Sequence, residues 1–505
     1  MASFGDLQVR RALLMLGVIG AAIYLGFNIP ENPMGSFFMV AGVAYLLTLG
    51  INYWWCAWLF FAFSSSALII PALPGRPFLW EALAAAAWPA VFVHLGLNRT
   101  RFGEIGFSRL ELRALLCLAL YLGVLVLLMA VHGVGFRTLG GAQMGGRFYV
   151  QQIVLGIVPL LFLLAPWSRE RLLAAFVASV VFSATYIVSD FALISGGRFA
   201  QLLLNFFEVP TDAFNFYYGF ELTGLRRYQS FSIVGRSLLL LLLVAFPLQK
   251  IVFRRFYFGW PCLAAILLLG LLSGERTRLV QTGFTLLALG WVQRLYTPSR
   301  VVALGLALTV AGGVVYTQAD RLPLSIQRAI SFLPGISVDP VAAADAAGTL
   351  HDRVAVVQLA MQAVPQHLLM GRGFGMERLD QAVRSVADDG VVLAFQNGQF
   401  PNGIVSLLVN TGLWGFLAAA GYVVAISRVA VEVVRAVVAR PEEERGWFER
   451  FAQLAVAHWF AIAAFFFLLH GEASTFVPTF ALPGALLLVC RRLLTPPTPA
   501  ALAPT

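Results

Sequence analysis

Apolar runs of about 20 residues, the length of helix that crosses the hydrocarbon of a bilayer, follow one another along this chain. They fall near 11–29, 36–51, 54–73, 79–96, 113–133, 149–167, 172–194, 231–249, 257–273, 279–295, 301–317, 403–427, 453–470 and 474–490. This pattern predicts an all-α, polytopic transmembrane helical bundle of about 14 spans, with about 12 to 14 as the range. Composition agrees: the chain is 59% hydrophobic and 12% charged, with a mean hydropathy of +0.81, whereas about a quarter of a soluble protein is charged.

The connections between the runs sort by charge. With the N-terminus inside, every alternate connection is basic, beginning with Arg99, Arg101, Arg109 and Arg113, then Arg169 and Arg171. Lys250, Arg254 and Arg255 come next, followed by Arg294 and Arg300, the 428–450 loop, and Arg491 and Arg492. Basic loops stay cytoplasmic, so both termini are expected on that side. The surplus of +10 is accounted for by topology. Its residues are scattered rather than clustered, so nucleic acid is not an expected partner. The run behind Arg10-Arg11 continues to Phe27 with no small-residue cleavage site after it, which predicts an uncleaved first span. Cys56, Cys117, Cys262 and Cys490 lie in or beside apolar runs without metal-like spacing, so neither disulfides nor a metal site is expected.

The opposite side then holds the loops 195–230, 273–278, 318–400 and 470–474. The longest, 318–400, is expected to be a partly helical periplasmic loop. Leu322, Ile326, Ile330 and Leu333 share one helical face, which suits a helix lying on the membrane surface. A second helix is expected from His351 to Val364 and a third from Met376 to Val386. A loop this long without disorder signals is expected to be functional. The tail 493–505, rich in Pro, Ala and Thr, is expected to be disordered.

Arginine on the outer side works against the topology bias and needs another explanation. The set is Arg198, Arg226, Arg227, Arg276, Arg278, Arg321, Arg328, Arg353, Arg372, Arg378 and Arg384. Any one of them can meet a lipid head group or pair with Asp212, Glu221 or Asp380. Together they read as an anion site, because the guanidinium fork matches phosphate oxygens and keeps its charge. Arg236 follows Arg226 and Arg227 into the eighth run, and an intramembrane charge is costly and a functional candidate. Ser273-Gly-Glu-Arg-Thr-Arg278 is a tight turn crowded with charge, and His351-Asp-Arg353 opens a loop helix. These features suggest a lipid-linked diphosphate donor, neutralised by arginine without a metal ion. A sugar hydroxyl would attack the anomeric carbon with help from a general base. Gly371, Gly373 and Gly375 are expected to form a flexible turn rather than a nucleotide loop.

Four stretches resemble the superfamily of O-antigen polymerases and O-antigen ligases. They are Arg227-Tyr-Gln-Ser-Phe-Ser-Ile-Val-Gly235; Ser273-Gly-Glu-Arg-Thr-Arg278; His351-Asp-Arg353 through His367-Leu-Leu-Met-Gly-Arg-Gly-Phe-Gly375; and Asn402 followed by Gly412-Leu-Trp-Gly415. The resemblance covers roughly 224–427, which divides the chain into N-terminal helices (1–223), this core with its loop 318–400, and C-terminal helices (428–492) before the tail. It implies a metal- and cofactor-independent glycosyltransferase of the bacterial inner membrane that acts on the periplasmic side. Its donor and acceptor would be undecaprenyl-diphosphate-linked glycans, in contact with membrane lipids and a polysaccharide chain-length regulator.

By matching positions, the resemblance implies that Arg276 and Arg353 bind the donor diphosphate with help from Arg227. Arg226, Arg236, Arg278, Arg372 and Asn402 are further substrate-binding candidates. Candidates for the base are Glu275, His351, Asp352, His470 and Glu472, and Glu275 and His351 are favoured because each adjoins a diphosphate arginine. Where ligases carry an acceptor-activating His, Pro401 precedes Asn402, which favours a polymerase over a ligase. A transporter on the same fold is the reading from a different class. The absence of an internal repeat and the gathering of charge at one face favour an enzyme.

Overall fold

The computed structural model describes residues 54–71, 73, 75–97, 106–134, 145–208, 229–253, 258–273, 275–374, 391, 394–395, 398, 400–441 and 444–495. Its helices in chain order are α1 (Trp54–Phe63), α2 (Leu79–Leu97), α3 (Arg109–His132), α4 (Gly146–Leu155), α5 (Val158–Leu164) and α6 (Arg169–Ser183). There follow α7 (Thr185–Ser195), α8 (Gly197–Phe206), α9 (Gln229–Ala245), α10 (Leu248–Phe253), α11 (Gly259–Leu272) and α12 (Arg276–Val292). The last six are α13 (Pro298–Thr317), α14 (Leu324–Ile330), α15 (Pro340–His367), α16 (Gly403–Val438), α17 (Trp447–Ala464) and α18 (Phe476–Leu494). Among the described residues two isolated β-bridges, Leu68–Phe207 and Ile69–Phe78, are the only extended pairing.

Seven described stretches are long and apolar enough to cross a membrane: Arg109–His132, Gly146–Leu164, Arg169–Ser195, Pro298–Thr317, Gly403–Val438, Trp447–Leu469 and Ala473–Leu494. Leu79–Phe92, Ser230–Ala245, Gly259–Leu272 and Leu279–Val292 are shorter apolar helices where further spans are expected. The chain is therefore a helical membrane protein. The expected spans 11–29 and 36–51 lie outside the described residues. In the expected span 54–73 the helix stops at Phe63. The Ser64 and Ser66 hydroxyls turn back to donate to the carbonyls of Phe61 and Phe63, each at 2.8 Å.

Local chemistry sets the helix ends. Ser108 and Glu111 form a capping box at α3, with Glu111 N–H donating to Ser108 Oγ at 3.3 Å and Ser108 N–H to Glu111 Oε2 at 2.9 Å. Ser168 caps α6 by accepting from Arg171 N–H, and Asp339 caps α15 by accepting from Val341 N–H at 2.8 Å. Asp339 and Pro340 explain why α15 starts well before the expected His351: together they open a helix that the following alanines extend. Pro365 lies inside α15, which continues past it only to His367.

The core gathers around α16, which packs on α3, α15, α17 and α18. Tyr121, Tyr422, Trp459, Phe476 and Phe480 are fully buried there, with ring centroids 4.9 Å apart for Tyr121–Phe476, 5.0 Å for Phe476–Phe480 and 5.3 Å for Trp459–Phe480. Their polar tips find partners, as buried Tyr and Trp require: Tyr121 donates to Gln152 Oε1 at 2.9 Å and Trp459 Nε1 to Ser427 Oγ at 3.0 Å. By contrast α13 buries none of its residues against the others described, as suits a helix surrounded by lipid.

Polar contacts divide the bundle into two ends. At one, Arg491 donates to Ser108 Oγ at 2.7 Å, Arg492 to both Glu111 carboxylate oxygens at 2.8 and 3.0 Å, and Arg450 to Val244 O at 2.7 Å. Arg169 and Arg440 converge on Glu449 there. These are the connections read as basic loops. The other end joins the remaining loops, with His132 Nε2 3.1 Å from Gly371 O and Ala473 N–H donating to Ser406 Oγ at 2.8 Å.

Two expectations for the long loop and tail need correction. The segment read as a surface helix is α14, whose residues Ser325–Ile330 are all buried. It packs on α11 and α15, so its apolar side meets protein rather than lipid. The helix α18 runs to Leu494, two residues into the expected tail, and 496–505 lie outside the described residues. The expected helix from Met376 to Val386 also falls outside them.

Candidate functional site

Three arginines from three elements meet at the end opposite the basic loops. Arg276 is the first residue of α12, and its Nη2 donates to Ala346 O of α15 at 3.1 Å. Arg328 of α14, buried, is ion-paired to Asp345, the residue before that carbonyl. Arg353 lies on the same side of α15, in line with the buried Ala342, Ala346, Val356 and Ala360. Burial, then the charges of Arg328 and Arg353, hold the Arg276 guanidinium below its ordinary range, against the opposing charge of Asp345. Arg353 is depressed in the same way by burial and by Arg328, and Glu472 opposes the shift. Among the described residues neither Arg276 nor Arg353 is in salt-bridge contact with a carboxylate; Asp345 and Glu472 act on them through their charge alone.

A cavity of about 500 Å³ adjoins this cluster, walled by α1, α6, α9, α17 and α18. Arg236 and His458 line it, with Arg236 Nη2 2.8 Å from His458 Nε2. At about 1.5 Å per residue, Arg236 lies roughly 10 Å into α9. Two polar bridges link cavity and cluster. Ser232 of the wall donates to Glu275 Oε2 at 3.0 Å, and Glu275 adjoins Arg276. Thr475 of the wall caps back onto the carbonyl of Glu472 at 3.0 Å, the acid that acts on Arg353.

Other expected site residues lie elsewhere. His351 and Asp352 are exposed, turned about 200° and about 100° round the helix from Arg353. Arg372 donates to Phe395 O at 3.0 Å and sits over the rings of Phe395 and Phe400 at 5.4 and 5.7 Å, so it ties the loop to itself. Asn402 caps α16, its Oδ1 accepting from Val405 N–H at 3.1 Å. Arg226 and Arg227 lie outside the described residues, as does the Arg278 side chain.

The segment Gly371–Phe374 is no loose turn. At Gly412 the backbone of α16 turns to φ 70°, which releases the carbonyls of Val409 and Asn410. Arg372 N–H and Gly373 N–H donate to these at 2.8 and 2.9 Å, and Leu413 N–H donates to Leu368 O at 2.6 Å. Each buried backbone group left unpaired would cost about 1–3 kcal/mol, so this segment repairs the break. Tyr149 OH then accepts from Phe374 N–H at 2.8 Å.

The outer arginine set already held Arg328, though not its place beside Arg276 and Arg353; His458 was passed over. His458 could have been found, since an ionisable residue within a span is a candidate by default. No family model matches this chain, and no curated protein is similar to it.

Proposed function

We propose that this chain is a polymerase of the bacterial inner membrane that joins undecaprenyl-diphosphate-linked oligosaccharide repeat units into a surface polysaccharide. The observation that carries the reading is the meeting of Arg276, Arg328 and Arg353, of which only Arg328 is in direct ion-pair contact with a carboxylate among the described residues. Clustered, partly desolvated guanidiniums repel one another, and a diphosphate relieves that repulsion while accepting their donors. The fully spanning form has about 14 helices, both termini cytoplasmic and this site on the periplasmic face, in keeping with the basic character of the opposite end.

In the reaction, Arg276 and Arg353, with Arg328 behind them, hold the donor diphosphate. An acceptor sugar hydroxyl attacks the donor anomeric carbon, the new C–O bond forms, and the anomeric C–O bond to the diphosphate breaks. Undecaprenyl diphosphate leaves with the bonding electrons, its charge held by the arginines. The hydroxyl proton passes to a carboxylate, for which Glu275 is best placed: it joins the arginine cluster to the cavity wall, whereas His351 faces away. Asn402 serves as a helix cap and Pro401 precedes it, which supports a polymerase rather than a ligase.

Purified protein incubated with a synthetic undecaprenyl-diphosphate repeat unit should give a ladder of lengthening lipid-linked products. A product formed only on added lipid A-core would establish the ligase instead. No turnover with any lipid-linked glycan would reject both and return the transporter reading.

A further inference from the structure

The arginine cluster leaves the cavity beside it unexplained. Its volume, about 500 Å³, lies within the range of about 300–1,000 Å³ seen for small-molecule sites, and its chemistry is specific. An arginine has no acceptor atom, so in the Arg236–His458 bond Arg236 donates and His458 Nε2 accepts. The imidazole proton is therefore on Nδ1, and that buried atom has no partner among the described residues. The imidazole thus holds the guanidinium of Arg236 on the cavity wall through Nε2, while Nδ1 itself is closed off.

Ser64, Ser179, Tyr186, Gln281 and Thr479 add hydroxyls and an amide to a lining that also holds apolar side chains such as Phe61, Phe176 and Leu482. Ser64 and Ser179 donate back to the carbonyls of Phe61 and Phe176, each at 2.8 Å. Their remaining lone pairs are free to accept from a ligand's O–H groups. A polyol supplies such donors; a lipid chain does not. One cationic position also suits a carboxylate better than a diphosphate, for which three arginines lie outside.

We infer that this cavity is the subsite for an acidic sugar, a hexuronic acid unit of the glycan, with Arg236 binding its carboxylate and His458 positioning Arg236 through Nε2. Rim hydroxyls take the sugar's O–H groups, and Ser232 connects the subsite to Glu275. The inference deepens the polymerase reading by naming its substrate class and rests on it for the direction of entry, so separate probes test the two.

Full-length protein in nanodiscs is titrated with a glucuronic-acid-containing disaccharide, with the neutral glucose disaccharide of the same linkage, and with inorganic diphosphate. The acidic disaccharide should bind at least about tenfold more tightly than the neutral one, as expected for a charge-assisted hydrogen bond. Arg236→Gln should abolish that preference with diphosphate affinity unchanged, and Arg353→Ala should do the reverse. His458→Leu should weaken the preference partway, and provides a second test if Arg236→Gln does not fold. Equal binding of the two disaccharides by the wild type, or an undiminished preference in a folded Arg236→Gln or His458→Leu variant, overturns the subsite. A wild type that shows the preference but binds no diphosphate, or an Arg353→Ala variant that still binds it, would reject the diphosphate assignment and uphold the subsite.

Discussion

Gly371 and Gly412 stand backbone to backbone. A Cβ at Gly371 would lie 2.6 Å from Gly412 N, and one at Gly412 would lie 2.7 Å from Gly371 N. Both residues have positive φ, 56° and 70°, where an L side chain costs about 1–2 kcal/mol before any clash. This contact joins the long loop to the central helix at its break.

Gly412→Ala and Gly371→Ala should therefore each destabilise the protein by at least about 2 kcal/mol, read as a lower Tm in detergent. Gly123→Ala is the control, since a Cβ there meets nothing within 4 Å. In mid-helix its effect should stay within about 1 kcal/mol and tend to stabilise. Equal Tm values for all three variants would show that the loop does not depend on the break.

Glu111 anchors the basic end. It is buried, and Arg492 reaches both its oxygens. Glu111→Ala should cost about 3 kcal/mol, because it strands a partly buried guanidinium. Removing both residues should restore part of that loss, with a coupling energy of at least about 1 kcal/mol in a double-mutant cycle. Additive losses would mean that the pair contributes nothing specific.

Glu208 gives a pH signature. Burial, and then the Glu81 carboxylate, push its carboxyl up to about 7, against the opposing pull of Arg147 and Arg76. The folded state thus holds a proton that the unfolded state has released between pH 4.5 and 7. Stability from this group is complete below the lower value and is lost as pH rises through the upper one. Tm measured from pH 4 to 8 should fall across that window, and Glu208→Gln should flatten the fall. An unchanged slope in that variant would place the titration elsewhere.

The arrangement of the two ends was legible in the sequence because loop charge and span order are local. Ser108 and Glu111 meet Arg491 and Arg492 where the alternation of basic loops implies. Arg276 and Arg353 were legible as candidates, but their meeting through Arg328 was not, since it depends on α14 tucking under α15. The role of Gly371 was hidden for a similar reason: a glycine pattern reads as a turn until its partner across the fold, Gly412, is known. Asn402 shows the converse, a motif residue that the helix start uses as a cap.

The central claim is that Arg276 and Arg353 hold a polyprenyl diphosphate, and binding of radiolabelled undecaprenyl diphosphate to protein in nanodiscs measures it most directly. The account predicts saturable binding by the wild type and a loss of about 10²-fold or more in Arg276→Ala and Arg353→Ala, with His351→Ala unaffected. Equal binding by the wild type and both arginine variants, each folded, would contradict it.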